Sequence, residues 1–543
     1  MIRKNLRWMT AVLIAANLAL VSPNSLMAND DRAKEKAKQS KPNNSSNFPT
    51  TTPIKHVVVI FQENVSFDHY FATYPNAQNN PGETAFRATP DTPSVNGITP
   101  GLKSQNQNVD GKDNSFLPIR LTPAQNYTCD QNHDYTPEQQ AFDSGLMDKF
   151  PEFTATVCSS SPYADVSALG AGIVMGYYDG NTVTGLWNYA QYFALNDNGF
   201  DTNFGPSTPG AINVVSGMTG NADLGHSIDD SGKDLENDVV NGSVIGDADP
   251  FYDDCGSPDQ TSVTGQNIGN LLNAKGITWG WFQGGFKPSS VVNGKAVCAT
   301  TTNRADGTPE TAYSAHHNPF EYYASTANVH HTPPASVEEI GHNGAANHIY
   351  DLSWFWQAAT TGNLPAVSYI KANRAQDGHP ANSSPLDEQA FIANMLNQLE
   401  SLAEWDQMAV IITWDDSDGW YDHVMPPIIN QSNSKADALT GIGDCGNGNH
   451  SLGGLQARCG YGPRLPFLVI SPYAKKNFVD HTLIDQSSVV KFIEDNWELG
   501  QIGNGSFDEI AGPLTNMFDF TKKRKDVAFL NPTTGAVTSV QKE

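Results

Sequence analysis

The sequence predicts an α/β fold with a mostly parallel sheet flanked by helices and long loop or cap insertions. Three observations carry it. The run Ile54–Phe61 is apolar and short enough for a buried strand. A second such run, Met408–Trp414, follows a segment with helical apolar spacing, and a third, Pro466–Ile470, is followed by another helical pattern. Helix-then-strand alternation of this kind builds a largely parallel sheet.

In chain order, Arg3, Lys4 and Arg7 precede the apolar stretch Met9–Val21 and then Leu26-Met27-Ala28, so residues 1–28 read as a cleaved secretory signal peptide. Residues 29–52 are polar, with Lys34, Lys36, Lys38 and Lys41 among Asn and Ser, and read as a flexible lead-in. No linker divides residues 53–520, which read as one catalytic domain, and 521–543 form a C-terminal tail. The helix spanning Pro385–Trp405 places Leu386, Phe391, Ile392, Met395, Leu396, Leu399 and Leu402 on one face. Ser487–Leu499 is a second helix, capped by Ser487 or Ser488, with Val489, Val490, Phe492, Ile493 and Trp497 inward. Asn- and Gly-rich connections around 76–115, 200–265 and 284–312 supply the insertions. There is no internal repeat, heptad array or P-loop.

The net charge of −26 argues against nucleic acid and anionic membrane surfaces, leaving zwitterionic lipid, neutral or metal-screened substrates. Transient contact with a membrane lipid surface is compatible with that charge, and a transmembrane anchor is not expected. A secreted or periplasmic location follows from the signal reading. Six cysteines lie in three sequence-local pairs, Cys129/Cys158, Cys255/Cys298 and Cys445/Cys459; an exported chain invites disulfides, with nearest-neighbour pairing one connectivity among fifteen.

Both long strands stop abruptly in oxygen ligands, at Glu63-Asn64 and at Asp415-Asp416-Ser417-Asp418-Gly419. Ligands of open α/β sheets bind beyond the carboxyl ends of strands, and crowded carboxylates call for a cation between them. Phe204-Gly205-Pro206-Ser207-Thr208-Pro209-Gly210 places hydroxyls in a turn before a helix, with Thr208 and Pro209 suited to the cap and first turn, and makes Ser207 the nucleophile candidate. His133, His316, His317, His379 and His423 all lie in polar or turn settings.

Taken together, Gln62-Glu63-Asn64-Val65-Ser66-Phe67-Asp68-His69-Tyr70-Phe71, Gly205-Pro206-Ser207, His317-Asn318-Pro319-Phe320, Thr413-Trp414-Asp415-Asp416-Ser417-Asp418-Gly419 with Asp422-His423, and Pro463-Arg464-Leu465-Pro466 resemble the bacterial secreted phosphoesterases. That family includes phosphatidylcholine-type phospholipases C, related acid phosphatases and plant non-specific phospholipases C. The resemblance implies an alkaline-phosphatase-like core with one divalent ion held by Glu63, Asn64, Ser207, Asp415 and Asp416. It implies catalytic roles for Ser207, His133, His317 and His379, and supporting positions for His316, Asp418 and His423. The resemblance favours zinc, and the oxygen-rich set also suits calcium, magnesium or manganese. Val65 stands where an Arg is frequent in the family and Ala72 where a Gly is. Ser207 in the nucleophile slot and the Asp-Asp pair are shared with the phosphatase branch. Trp420 and Tyr421, just past the acidic strand end, are the best aromatic candidates to hold a quaternary ammonium.

The leading expectation is a phospholipase C that cleaves phosphatidylcholine to diacylglycerol and phosphocholine. The alternative is an acid phosphatase acting on small phosphomonoesters with the same centre, and a remote third is a secreted glycan-binding adhesin.

Overall fold

The computed structural model describes residues 48–541 apart from 160, 161, 230 and 447; the segment read as a signal peptide and most of the expected lead-in lie outside the described residues. The apolar run after Ile54 forms β1 (His56–Gln62), buried along its whole length. Eight further strands complete the main sheet: β2 (Ala194–Phe200), β3 (Trp279–Gln283), β4 (Ile349–Asp351), β5 (Val367–Lys371), β6 (Met408–Trp414), β7 (Arg464–Ile470), β8 (Phe478–Asp480) and β9 (Ile484–Asp485). Their order is β4-β3-β5-β1-β6-β7-β2-β8, with β9 also beside β2. All neighbours from β4 to β6 run parallel. The exception is β7, antiparallel to both β6 and β2, while β8 and β9 are parallel to β2. The expected α/β class with a mostly parallel sheet is therefore observed. β1 and β6 lie side by side within it and are buried at every position, as their largely apolar sequences require of strands covered on both faces.

β2 carries no such pattern in its sequence, Ala-Leu-Asn-Asp-Asn-Gly-Phe. It holds its place because its polar groups are met locally, as where Asn196 donates to Asp480 Oδ2 at 2.9 Å.

The helices used below are α1 (Phe67–Phe71), α2 (Thr184–Tyr192), α3 (Ser207–Ser216), α4 (Leu352–Thr361), α5 (Pro385–Leu399) and α6 (Ser487–Trp497). Three differ from expectation. α5 stops at Leu399 and a separate 3-10 turn follows over Ala403–Gln407; both pieces turn apolar residues to the same core, so periodicity reads them as one helix. α6 is not capped by its serines: Asp485 Oδ2 accepts the Ser487 N–H at 3.0 Å and its hydroxyl at 2.6 Å. α3 begins at Ser207 with Pro206 as its N-cap, earlier than the Thr208 cap position expected.

Insertions between the strands are tied by three disulfides, Cys129–Cys158, Cys255–Cys298 and Cys445–Cys459, each joining sequence neighbours. The last lead-in residues are docked, Thr51 N–H on Asn496 O at 2.9 Å and the Thr52 hydroxyl on Asn496 Oδ1 at 2.6 Å. The C-terminal segment ends in a hairpin of β10 (Val527–Leu530) and β11 (Val537–Gln541) laid on α5, where Asn397 bonds both backbone groups of Leu530. Among the described residues no helix is long and apolar enough to cross a membrane.

Candidate active site

β1 and β6 are paired so that Gln62 lies opposite Trp414, and the next residues of each strand emerge side by side. The two acidic strand ends, about 350 residues apart in sequence, thus meet at the same sheet edge. Asn64 turns sharply there with φ 48°, a left-handed conformation that asparagine tolerates. Its N–H donates to Asp415 Oδ1 at 2.9 Å, and the same oxygen accepts the Asp416 N–H at 2.9 Å. α3 then brings its first residue over the pair. Ser207 Oγ donates toward Asp416 Oδ2 at 3.0 Å and Glu63 Oε2 at 3.3 Å. All five of Glu63, Asn64, Ser207, Asp415 and Asp416 are buried.

Gly210 explains how a helix comes so close to a strand end. A Cβ at that position would lie 1.9 Å from the Asp415 carbonyl oxygen, so any side chain displaces α3 and Ser207 with it. Gly210→Ala is expected to cost about 1–3 kcal/mol by overpacking, read as a lower melting temperature. Turnover should fall at least tenfold because Ser207 is carried off position.

Crowded acids with few cations set the electrostatics. Burial, with Asp415 adding to it, pushes Glu63 well above the ordinary carboxylate range against the pull of the Lys371 ammonium, which contacts it. Burial also pushes Asp416 far up; His133 works against that and Asp415 with it. Asn64 Oδ1 and Asp415 Oδ2 are buried with no hydrogen-bond partner among the described residues. Orphaned buried oxygens beside carboxylates forced to share space are the donor set of a hard or borderline divalent cation, so the residues present fit such an ion.

The histidines divide. His133 stands 3.8 Å from Asp416 and 3.5 Å from Asp418. Burial opposes its charged form, but Asp416, Asp130 and Asp418 outweigh it and hold the imidazole well above its usual value. His317 lies on the other flank, its Nδ1 3.1 Å from Glu63, where burial together with His316, Lys371 and His379 keeps it well below. His379 stacks against His317 with centroids 6.3 Å apart. His316 backs His317 edge-on and reaches Asp249 at 3.1 Å. Asp418 meets both His133 and, through its N–H, Asp416 Oδ1 at 2.6 Å.

Three of the expected residues fall elsewhere. His423 touches none of the five central residues; its Nδ1 is 2.6 Å from Asp68, within an ion cluster completed by Asp422 and Arg464. Trp420 is buried with one face stacked on His69 at 4.0 Å, and Tyr421 is buried against Phe150 with its hydroxyl bonded by Asn106. These rings pack the wall behind the site, and their enclosure argues against a headgroup cage. Following directly on a strand end made them look exposed, but the chain turns inward after Gly419.

Two contributors were missed as site residues. Lys371 ends β5, opposite Phe61 of β1, and strand pairing alone brings it to Glu63. Asp377, in the Asp377-Gly378-His379-Pro380 turn, receives the Glu63 N–H on its carbonyl at 3.0 Å and leaves Oδ2 unpartnered 3.9 Å from His317.

Non-hemolytic phospholipase C of Pseudomonas aeruginosa is 25% identical over 486 residues, covering 87% of this chain and 58% of its own length. Phospholipase C B of Mycobacterium tuberculosis is 24% identical over 476 residues, covering 86% and 78%. The chain spans less than two thirds of the length of the Pseudomonas relative. Among solved structures, a protein in the alkaline phosphatase superfamily from Vibrio parahaemolyticus shares 10% identity over 59% of this chain and 62% of its own, with a TM-score of 0.27, too low to bear on the argument. The profile of the Phosphoesterase family matches residues 54–500, from the approach to β1 through α6. The chain therefore belongs to the Phosphoesterase family.

Proposed function

We propose that the protein is an exported, metal-dependent phospholipase C that cleaves a phosphodiester lipid through a Ser207 nucleophile. The observation that carries this reading is Ser207 Oγ poised 3.0 Å from Asp416 and 3.3 Å from Glu63, beside the orphaned oxygens of Asn64 and Asp415. Glu63, Asn64, Asp415, Asp416 and Ser207 itself would hold one divalent ion. Bound there, the ion supplies charge to screen the phosphoryl oxygens and to lower the hydroxyl pKa.

Ser207 Oγ attacks phosphorus and loses its proton along the hydrogen bond it already makes to the carboxylates. The bond to the lipid alkoxide breaks opposite. His133, kept protonated by its acidic neighbours, is equipped to give that alkoxide its proton. A neutral His317 with its Nδ1–H toward Glu63 leaves Nε2 to steer the water that later hydrolyses the phosphoserine, with His379 packed behind it. Lys371 balances part of the Glu63 charge, so one added cation suits the centre.

Charge around the site favours a diester. Asp247 accepts the Thr208 N–H at 3.0 Å, occupying an amide at the start of the nucleophile's helix, and it is exposed, as are Asp130 and Asp134. A dianionic monoester meets repulsion there; a diester of lower charge with a cationic headgroup does not. Side-by-side assays decide the point: hydrolysis of phosphatidylcholine and aryl phosphocholine is expected to exceed that of an aryl phosphate at both acidic and neutral pH. Robust monoesterase activity with inert phospholipid and aryl phosphocholine would make the protein an acid phosphatase instead.

A further inference from the structure

The carboxyl ends of β3 and β4 hold a cavity of about 610 Å³. These strand ends lie at the same end of the sheet as Glu63, because every strand from β4 to β6 runs parallel. At a strand spacing of about 4.8 Å, β4 lies roughly 14 Å from β1. The wall between cavity and site is continuous protein. Phe286 packs on Tyr313 with ring centroids 5.7 Å apart, Gln283 bonds the Ser314 carbonyl at 2.9 Å, and the chain then runs directly into His316 and His317.

Its lining is apolar where it faces inward, with Phe286, Pro333, Ile349, Tyr350 and Trp354, and with Val291, 61% exposed, at the lip. Among the polar groups of the lining, His330, His331 and Asp351 are already engaged by the protein, whereas the Lys287 ammonium makes no ion pair among the described residues. His331 uses one nitrogen on the Phe286 carbonyl at 2.7 Å and the other on Asp253 at 2.8 Å. His330 is 2.7 Å from Asp254, and Asp351 accepts the N–H groups of Lys287 and Ser353 and the Ser353 hydroxyl. A recess of this size that is lined mainly by apolar side chains, with its imidazoles and its carboxylate spent on its own scaffold, recognises an apolar ligand.

We propose that this cavity is the subsite for a fatty acyl chain of the lipid whose phosphate is cleaved at Ser207. The inference rests on the phospholipase reading for the identity of the ligand, and on the cavity for its place. The glycerol backbone would bridge the distance along the sheet edge, over the 313–317 segment.

The test is a titration of the protein with dansyl-labelled fatty acids of increasing chain length. The expected result is one saturable site whose affinity tightens about fourfold per added methylene. Val291→Asp, at a position 61% exposed, should weaken the longest probe at least tenfold while leaving the melting temperature near that of the parent. Leu224→Asp, on a separate loop and 62% exposed, should bind as the parent does. Absence of a saturable site, or binding indifferent to Val291→Asp, overturns the proposal. Hydrolysis of a chainless aryl phosphocholine, measured alongside, separates the two readings. A parent protein that hydrolyses the chainless substrate but binds no probe sinks the acyl subsite; a parent that binds the probe but hydrolyses no diester sinks the phospholipase reading and, with it, the assignment of the acyl chain to a substrate.

Discussion

Ser207→Ala is expected to lower turnover of an aryl phosphocholine by roughly 10³-fold or more, the cost of removing a covalent nucleophile. The effect should fall on kcat and leave KM nearly unchanged, because the hydroxyl is directed at Asp416 and Glu63 rather than outward. Ser207→Thr keeps a hydroxyl on the same helix turn and should retain measurable turnover. A Ser207→Ala protein with parental kcat would show that some other group attacks phosphorus. Circular dichroism and melting should report an intact fold, since alanine fits the first position of α3 at least as well as serine.

Asp416→Asn carries the second large effect, and its readout does not depend on catalysis. Glu63, Asp415 and Asp416 are buried together, and their proximity costs the protein free energy that a divalent ion recovers. An ion that binds only the folded chain stabilises it by about 2.7 kcal/mol at a hundredfold excess over Kd. Adding zinc, calcium, magnesium or manganese to chelator-treated protein should therefore raise the melting temperature for at least one of them. Asp416→Asn should abolish most of that rise while the ion-free variant melts no lower than the ion-free parent, because burial already disfavours the charged form of Asp416 and the amide is neutral. Turnover should fall at least a hundredfold. An ion-induced rise that survives Asp416→Asn undiminished would place the cation elsewhere.

Much of this site was legible because its parts sit at abrupt sequence boundaries. Glu63-Asn64 and Asp415-Asp416 each follow a largely apolar strand, and side-by-side pairing of two such strands brings their ends together. Ser207 was legible as a turn hydroxyl ahead of a helix. What escaped reading depends on neighbours far away in sequence. β2 is too polar to declare itself a strand, and Lys371 reaches Glu63 only because β5 pairs with β1. Asp377 stood in view within the His379 turn, but nothing local says that its carbonyl holds the Glu63 backbone. Trp420 and Tyr421 misled for the same reason: aromatic character and position past a strand end do not say which way a chain turns, and the direction was set by packing on His69 and Phe150. The capping of α6 by Asp485 instead of a serine is a smaller case, since both residue types satisfy the same amides.

The most direct test of the central claim is anomalous diffraction from crystals grown with the ion that stabilises the protein; where that ion is magnesium, manganese replaces it in the soak. Data on either side of the ion's absorption edge, or at long wavelength for calcium, should show one strong peak enclosed by the oxygens of Glu63, Asn64, Ser207, Asp415 and Asp416. A featureless map between those side chains, with the ion bound at another cluster or at none, would contradict the account.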